Sequence, residues 1–303
     1  MSRACVVAWL AFGLLASAGC QASADDAVTA LIASKTAVAR EARLKSALAS
    51  SDTVGETDAP LARWVLPPSL REISGLALTR DGRLFVHGDE RGQLWEIDYR
   101  RGALLKRFTL GDQAVVADFE GITVANDVLW MLASNGTLYE FREGGDDAHV
   151  KYQKYETGLK KDCEFEGVAF DPKLNAMLLA CKNIREKQDR KSIIIYRWSL
   201  KPGGGERVSR LMVPVASVRG DNAWTSLQIS DITIEPSTGN YVLVASKERA
   251  IVVITPTGDP VSARVLPERH EQPEGIALTK DSLLLISDEA AKGPAVLTLY
   301  RWP

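Results

Sequence analysis

A pattern of acidic and hydroxyl side chains recurs along the sequence at a spacing that suits metal binding. Two polar residues flank an apolar one and are followed by glycine, as in residues 118–121 (DFEG). The polar positions of the five copies are Glu72 and Ser74, Asp118 and Glu120, Glu164 and Glu166, Gln228 and Ser230, and Gln272 and Glu274, with Asp231 replacing glycine in the fourth copy. Side chains two residues apart in a strand face the same side, so each copy offers two oxygen ligands on one face.

The elements that must position these residues follow from the spacing of the copies. Their third positions, 74, 120, 166, 230 and 274, are separated by 46, 46, 64 and 44 residues. Periods of about 45 residues that hold four short strands are typical of propeller blades. Polar loops at residues 183–191 and 201–209 account for the longer step. The sequence thus predicts an all-β fold, a five-bladed β-propeller of four-stranded blades.

The two ends of the chain are expected to close this ring. Only three strands fit after residue 274, and residues 63–66 form one strand ahead of the first copy. If that N-terminal strand completes the last blade, no long sheet edge is left open. We therefore expect a propeller domain over residues 61–303 with the N-terminal strand in its last blade.

The first strand of each blade lines the channel of a propeller, so the five copies should meet at one mouth. The second strands return there and add Asp89 and Glu90 in the first blade and Asp288 and Glu289 in the last. So many carboxylates need a counter-charge, and Ca²⁺ accepts carboxylate and hydroxyl oxygens in flexible geometry. The candidate ligands are Glu120, Glu166 and Glu274, which share the innermost register, and Ser74, Ser230, Glu72, Asp118, Glu164, Asp89, Glu90, Asp288 and Glu289.

A metal-free mouth is the alternative to a calcium site. Lys182, Lys247 and nearby arginines could neutralise the acids in a solvated network. Because the predicted ring contains no His or Cys, zinc, copper and iron are not expected. The sequence favours Ca²⁺ as the bound cofactor.

Signals for catalysis are weak. No Gly-x-Ser-x-Gly, HExxH or Walker phosphate-loop pattern is present. Only His87 among the histidines falls near the predicted mouth, and a lone histidine on a strand is more often structural than catalytic. We expect a calcium-binding module that binds or scaffolds an envelope ligand or protein rather than an enzyme. The alternative function is a calcium-dependent hydrolase that acts on a phosphoester or lactone at the mouth.

Charge excludes one class of partner. In 303 residues, 37 Lys and Arg oppose 39 Asp and Glu, which gives a net charge of −2. Nucleic-acid binding relies on clustered basic residues that neutralise phosphates. We therefore expect no nucleic-acid partner.

The N-terminus has the features of a bacterial lipoprotein signal. An arginine precedes an apolar stretch and small residues, so residues 1–19 are predicted to be a signal peptide and Cys20 the lipidated first residue. Cleavage without lipidation, which would release a soluble periplasmic protein, is the alternative. Because Gln21 follows the cysteine, we expect the protein in the periplasm, held at the outer membrane by its lipid alone.

Residues 20–60 are predicted to form an Ala-rich helix, at residues 25–50, and a polar linker. This helix would be either a stalk or an element packed on the propeller. Within the folded part, Cys163 and Cys181 either form a disulfide or remain two buried thiols. The sequence leaves both questions open.

Longer motifs resemble the SdiA-regulated protein family of the bacterial envelope. They are EISGLA at residues 72–77, the DGxLFxHxDExG run at 81–92, DFEG at 118–121, CEFEGVAFDP at 163–172 with LLACK at 178–182, QPEG at 272–275 and SDE at 287–289. The resemblance covers about residues 62–303. It implies a five-bladed propeller, distantly similar to NHL-repeat proteins, with a calcium-binding site and no known reaction.

Overall fold

The structure, a computed structural model, describes residues 24–54, 59–201, 207–267 and 269–303. The predicted signal peptide and Cys20 lie outside these described residues. Within the described residues, no helix combines the length and the apolar character that crossing a membrane requires.

Helix α1 (Ala24–Val54) extends past its predicted end at residue 50. The segment contains no Gly or Pro and many alanines, which favours an uninterrupted helix. Leu44 is only 1% exposed and joins the apolar cluster between the first and last blades. Nearby, Arg40 Nη1 donates to the Arg101 carbonyl at 3.2 Å, and Arg101 Nη2 lies 2.8 Å from Glu41 Oε2. The C-terminal half of α1 is therefore packed on the propeller.

The first two blades interleave along the chain. Strand β1 (Ala62–Val65) precedes blade one, which contains β2 (Ile73–Leu78), β3 (Leu84–Gly88), β4 (Gln93–Asp98) and β5 (Ala103–Leu110). Blade two contains β6 (Phe119–Ala125), β7 (Val128–Ala133) and β8 (Thr137–Phe141); β9 (Ala148–Val150) then adds to β5, and β10 (Tyr152–Glu156) completes blade two. Blade one thus has a fifth strand where four were predicted, because the β8–β10 connection pairs in parallel along the open edge of β5.

The remaining blades follow in chain order. Blade three contains β11 (Cys163–Asp171), β12 (Ala176–Ile184), β13 (Ser192–Ser199) and β14 (Val208–Pro214), and the short helix α2 (Val215–Val218) follows. Blade four contains β15 (Ile229–Ile234), β16 (Tyr241–Ala245), β17 (Ala250–Ile254) and β18 (Pro260–Val265). Blade five contains β19 (Pro273–Leu278), β20 (Leu283–Asp288) and β21 (Val296–Arg301). Single 3₁₀ turns at Pro68–Leu70 and Lys187–Asp189 lie in connecting loops.

Strand β1 closes the ring. It pairs antiparallel with β21, with Ala62 opposite Leu299 and Val65 opposite Val296, so the last blade has the order β1-β21-β20-β19. Each inner strand contacts the inner strands of both neighbouring blades, and β19 contacts β2. The predicted five-bladed propeller and its closure by the N-terminal strand are confirmed.

The core lies between blades rather than within them. Buried apolar side chains of the described residues form five clusters, one at each blade boundary. Both faces of each sheet are therefore covered, and the inner strands are held in fixed positions around the channel.

Candidate metal centre at the acidic mouth

A β-bulge occurs at the same motif position in all five inner strands. The pairing with the second strand skips one residue in each blade, between Ile73 and Gly75 in the first and at the equivalent place in the others. The skipped residues, called the inner ring below, are Ser74, Glu120, Glu166, Ser230 and Glu274. Bulges release a residue from the ladder and redirect its side chain. The inner ring is therefore produced by one local distortion repeated five times.

In four of the five blades a glycine follows the bulge and allows neighbouring inner strands to approach closely. A Cβ on Gly121 would lie 2.9 Å from the Val168 nitrogen, and one on Gly167 would lie 2.7 Å from the Asp231 Cα. Both contacts are with backbone atoms, which cannot rotate away. The motif glycines therefore determine how closely the inner strands pack around the mouth.

A second set of residues, called the outer ring below, comes from the second strands. In each blade, one residue of the second strand pairs with the inner-strand residue just before the bulge, and the outer-ring residue is the next one along the second strand. In blade three, Cys181 pairs with Phe165, so Lys182 is the outer-ring residue. By this register the outer ring consists of Asp89, Ser134, Lys182, Ser246 and Glu289. The two rings together are the acidic mouth, which contains five carboxylates and one lysine.

The inner-ring glutamates are strongly perturbed. Burial raises the pKa of Glu120 well above its usual range, and the neighbouring Glu166 and Asp118 raise it further. Burial also raises the pKa of Glu166, although its ion pair with Lys182 acts in the opposite direction. The Lys182 Nζ lies 3.0 Å from Glu166 Oε2. Both carboxyl groups are therefore harder to ionise at the mouth than in water.

The outer ring is acidic on the side of blades one and five. Burial and the nearby Glu72 raise the pKa of Asp89, and its Oδ1 is buried with no hydrogen-bond partner among the described residues. The pKa of Glu289 is raised by burial and by Glu274, Asp89 and Glu72. Gln272 Nε2 donates a hydrogen bond to Glu289 Oε2. The five carboxyl groups of the mouth thus outnumber its single lysine.

The other candidate ligands are either outside the two rings, as Asp118, Glu90 and Glu164 are, or are inner-ring serines. Asp118 and Glu90 are exposed, and Glu164 Oε2 accepts a hydrogen bond from Asn183 Nδ2 at 3.1 Å. The Ser230 hydroxyl donates to the Pro273 carbonyl at 2.8 Å, so it ties blade four to blade five. Ser74 is buried in the inner ring of blade one.

Asp288 occupies a position different from the one its sequence motif suggests. The sequence aligned Asp288-Glu289 with Asp89-Glu90, but the strand register places Glu289 level with Asp89. Asp288 is buried, and its Oδ2 lies 2.7 Å from His270 Nδ1. The other ring nitrogen of His270 lies 2.6 Å from the Tyr300 hydroxyl, and burial raises the pKa of that tyrosine to about 12. Neither His270 nor Tyr300 stands out in the sequence.

His87 lies in the core between blades one and two. Its side chain is 0% exposed, and its Nδ1 is 2.8 Å from the Gly88 carbonyl. Its ring packs edge-on against Phe119, with ring centroids 6.5 Å apart. Burial lowers the pKa of His87 to about 4, so the imidazole is neutral at physiological pH. A side chain closed to solvent in this way favours the structural role.

A disulfide joins Cys163 and Cys181, with the sulfurs 2.07 Å apart and the Cα atoms 5.7 Å apart. It links the inner and second strands of blade three. Glu164 and Lys182 directly follow the two cysteines, so the bond fixes the backbone from which both side chains extend.

The donors of the acidic mouth match the preferences of a hard cation. All five charged donors are carboxylates, and the remaining ring residues other than Lys182 supply hydroxyls. The unpaired Asp89 Oδ1 is the kind of buried oxygen that a cation would satisfy. In the described part of the chain, no three Asp, Glu, His or Cys side chains lie close enough together to hold a metal ion. Residue types and charge therefore fit calcium, and binding would require the carboxylates to converge.

The opposite end of the channel has a different character. A cavity of about 1090 Å³ opens there, where the inner strands end. Its walls include the apolar side chains Leu78, Val124, Phe170, Ile234 and Leu278. The two rings and this cavity, whose walls also include Asp81, Asp127 and Asp281, thus lie at different ends of the channel.

Blade number, closure and the two rings define the protein as a five-bladed β-propeller with an acidic channel mouth. The glutaminyl cyclase of Myxococcus xanthus is similar in structure, with a TM-score of 0.54 and 13% identity over 80% of this chain and 94% of that one. The PQQ-bound form of an aldose sugar dehydrogenase from Streptomyces coelicolor gives a TM-score of 0.51 and 13% identity over 80% of this chain and 99% of that one. At these identities the likeness shows the fold alone.

A family model described as SdiA-regulated matches residues 53–292. The chain therefore belongs to the SdiA-regulated family, which confirms the resemblance seen in its motifs. No curated protein matches the sequence.

Proposed function

We propose that the protein is a calcium-binding β-propeller of the bacterial cell envelope that serves as a binding or scaffold module. The observation that carries the proposal is the inner ring, in which Glu120, Glu166 and Glu274 come from three blades and all have raised pKa values. A divalent cation would reduce their mutual repulsion and would also offset the free-energy cost of burying their charges.

The residues that would hold the ion are Glu120, Glu166 and Glu274, with Asp89 and Glu289 beside them. Calcium would supply positive charge and flexible oxygen coordination at this place. Because the ligands come from blades one, two, three and five, the ion would add a further link between these blades. A stable rim of this kind suits a surface that presents loops to a partner in the envelope.

Calorimetric titration of Ca²⁺ into the EDTA-treated protein tests the proposal. We expect one site per chain and a higher melting temperature with Ca²⁺, because a ligand that binds only the folded state stabilises it. The double variant Glu120→Gln with Glu166→Gln should bind at least about tenfold more weakly, equivalent to ~1.4 kcal/mol. The control is Glu164→Gln, an identical change at a side chain turned toward Asn183, which should bind as the wild type does. Absence of heat and of a melting shift would refute the calcium site.

The location at the envelope is part of the proposal. It is supported by the N-terminal sequence, with a basic residue, an apolar stretch and Cys20 after small residues. Metabolic labelling with a palmitate analogue should mark the wild-type protein, whereas Cys20→Ala should remain unlabelled. Labelling of both, or of neither, would contradict lipidation at Cys20.

A calcium-dependent hydrolase is the second candidate. One observation favours it: the pKa of Glu166 is raised by burial, which suits a general base, and a cationic Lys182 lies 3.0 Å away. Lactones and phosphoesters presented to the calcium-loaded protein should then be hydrolysed by the wild type and far more slowly by Glu166→Gln. No turnover by calcium-loaded wild type would leave the binding module as the function.

A further inference from the structure

Lys182 is the single basic residue of the two rings, and it lies among the inner-ring glutamates. Its Nζ is 3.0 Å from Glu166 Oε2, and only 6% of the Glu166 side chain is exposed. The pKa of Lys182 is raised: burial would lower it, but attraction from Glu166, Glu274 and Glu120 is stronger. The ammonium group is thus paired with one of the three carboxylates that would bind a metal and is attracted by the other two.

The fold itself does not require a lysine at this position. Ser134 in blade two and Ser246 in blade four occupy the equivalent place after the second strand. Both are small and uncharged, and their blades keep the same register and bulge. The lysine is therefore an addition to the charge of the mouth rather than an element of blade packing.

The backbone of Lys182 is held in place, whereas its side chain can rotate. Its backbone follows Cys181, which is joined to Cys163 by the disulfide. The side chain is 22% exposed, and a lysine has four carbons along which it can rotate toward solvent. The ammonium group can leave the carboxylates while its backbone stays in place.

We propose that Lys182 is a tethered competitor of the metal, an ammonium group that partly offsets the charge of the inner ring when calcium is absent and has to withdraw when calcium binds. This inference rests on the proposed function, because it concerns the regulation of that same site. A tethered cation keeps a high local concentration near the carboxylates, so it weakens the apparent affinity for free Ca²⁺. It also reduces the repulsion between the carboxylates of the metal-free mouth. The protein would then bind calcium only above a threshold concentration of external calcium.

The test compares Ca²⁺ affinity in three forms of the full chain by calorimetry. Lys182→Met keeps the apolar length of the side chain and removes its charge, and it should bind Ca²⁺ about tenfold or more tightly than the wild type. Lys151→Met removes the same charge from an exposed position between β9 and β10 and should leave the affinity within about twofold. Equal affinities for wild type and Lys182→Met, or weaker binding by the variant, would overturn the inference.

The result separates the two proposals. If the wild type binds Ca²⁺ and Lys182→Met binds equally well, the calcium site stands and the competitor is refuted. If Lys182→Met alone binds measurably, the competitor is supported and calcium binding by the wild type is refuted, because the tethered cation then blocks the site. If no form binds, the calcium site is refuted and the inference fails with it.

A measurement on the unmodified protein covers the case in which Lys182→Met does not fold. The rate of acetylation of the Lys182 amine by acetic anhydride, followed by peptide mass mapping, reports how accessible that amine is. We expect the rate to rise several-fold on addition of Ca²⁺, because the ammonium group is released from Glu166, while acetylation of the exposed Lys151 stays constant. An unchanged or slower rate at Lys182 with bound Ca²⁺ would overturn the inference.

Discussion

The carboxylate of Asp231 joins blade four to blade five by accepting a hydrogen bond from the Ile276 amide at 2.9 Å. Its second oxygen accepts from the Ile232 amide at 2.8 Å, and the residue is only 2% exposed. The other four copies of the motif have glycine at this position. The one departure from the repeat therefore adds a buried polar tie between blades four and five, beside the one from the Ser230 hydroxyl to the Pro273 carbonyl.

Replacing Asp231 with Ala should lower the free energy of unfolding by about 2 to 4 kcal/mol, because two buried N–H groups lose their acceptor. Urea denaturation followed by tryptophan fluorescence would measure the change. Asp112→Ala, an identical substitution at an exposed position, should shift the midpoint little. Equal midpoints for both variants would show that the Asp231 tie does not contribute to stability.

Gly167 should not tolerate a side chain. The added Cβ of Gly167→Ala would lie 2.7 Å from the Asp231 Cα and 2.8 Å from the Ile232 nitrogen, so blades three and four would have to separate. We expect a loss of about 1 to 3 kcal/mol from this overpacking. Gly145→Ala is the matched control, because nothing lies within 4 Å of the added atom. Thermal melts of the two variants should differ clearly, and coincident melts would argue against close packing at the motif glycine.

Much of the fold could be predicted because its repeat is visible in the sequence. Five motif copies at similar spacing specify five blades, and the strand left over before residue 72 specifies the closure. Strand β9 could not be anticipated in the same way. It is three residues long and pairs with β5, out of chain order, so neither its length nor its position in the repeat marks it.

The inner ring was also predictable, because residues two apart share a face, but the outer ring was not. Its members follow from strand register, and the bulge shifts that register by one residue relative to a regular ladder. This shift places Asp288 against His270 instead of at the mouth. Lys182 was recognised in the sequence only as a general source of charge, since its contact with Glu166 joins two strands of blade three.

The metal-free protein should become less stable as the pH rises. Glu120, Glu166 and Glu274 have pKa values raised by burial, so the folded state binds protons more tightly than the unfolded state does. The contribution of these groups to the free energy of unfolding is fully present below the ordinary glutamate pKa of about 4.3. It is lost as the pH rises through their pKa values in the folded state. Melting temperatures of the EDTA-treated protein from about pH 5 to about pH 8 should therefore fall, with a smaller fall for Glu120→Gln. A rise over this range would contradict the raised pKa values.

The disulfide between Cys163 and Cys181 should stabilise the protein by about 3 kcal/mol, because it closes a short loop in the unfolded chain. The two cysteines are 18 residues apart. The double variant Cys163→Ala with Cys181→Ala should show this loss in urea denaturation under oxidising conditions. Dithiothreitol should lower the stability of the wild type and leave the variant unchanged. Equal sensitivity of both proteins to the reductant would indicate that another effect is being measured.

Helix α1 should detach from the propeller when its buried contact is removed. Leu44 is 1% exposed, whereas Val38 on the same helix is 59% exposed. In Leu44→Ala the loss of packing, about 2 kcal/mol or more, should open the helix and speed tryptic cleavage after Arg43 and Lys45. Val38→Ala should be cut at the wild-type rate. The propeller is closed by β1 and not by α1, so its melting temperature should change by no more than roughly 2 °C. A much larger drop would mean that α1 belongs to the cooperative unit of the propeller rather than being docked on it.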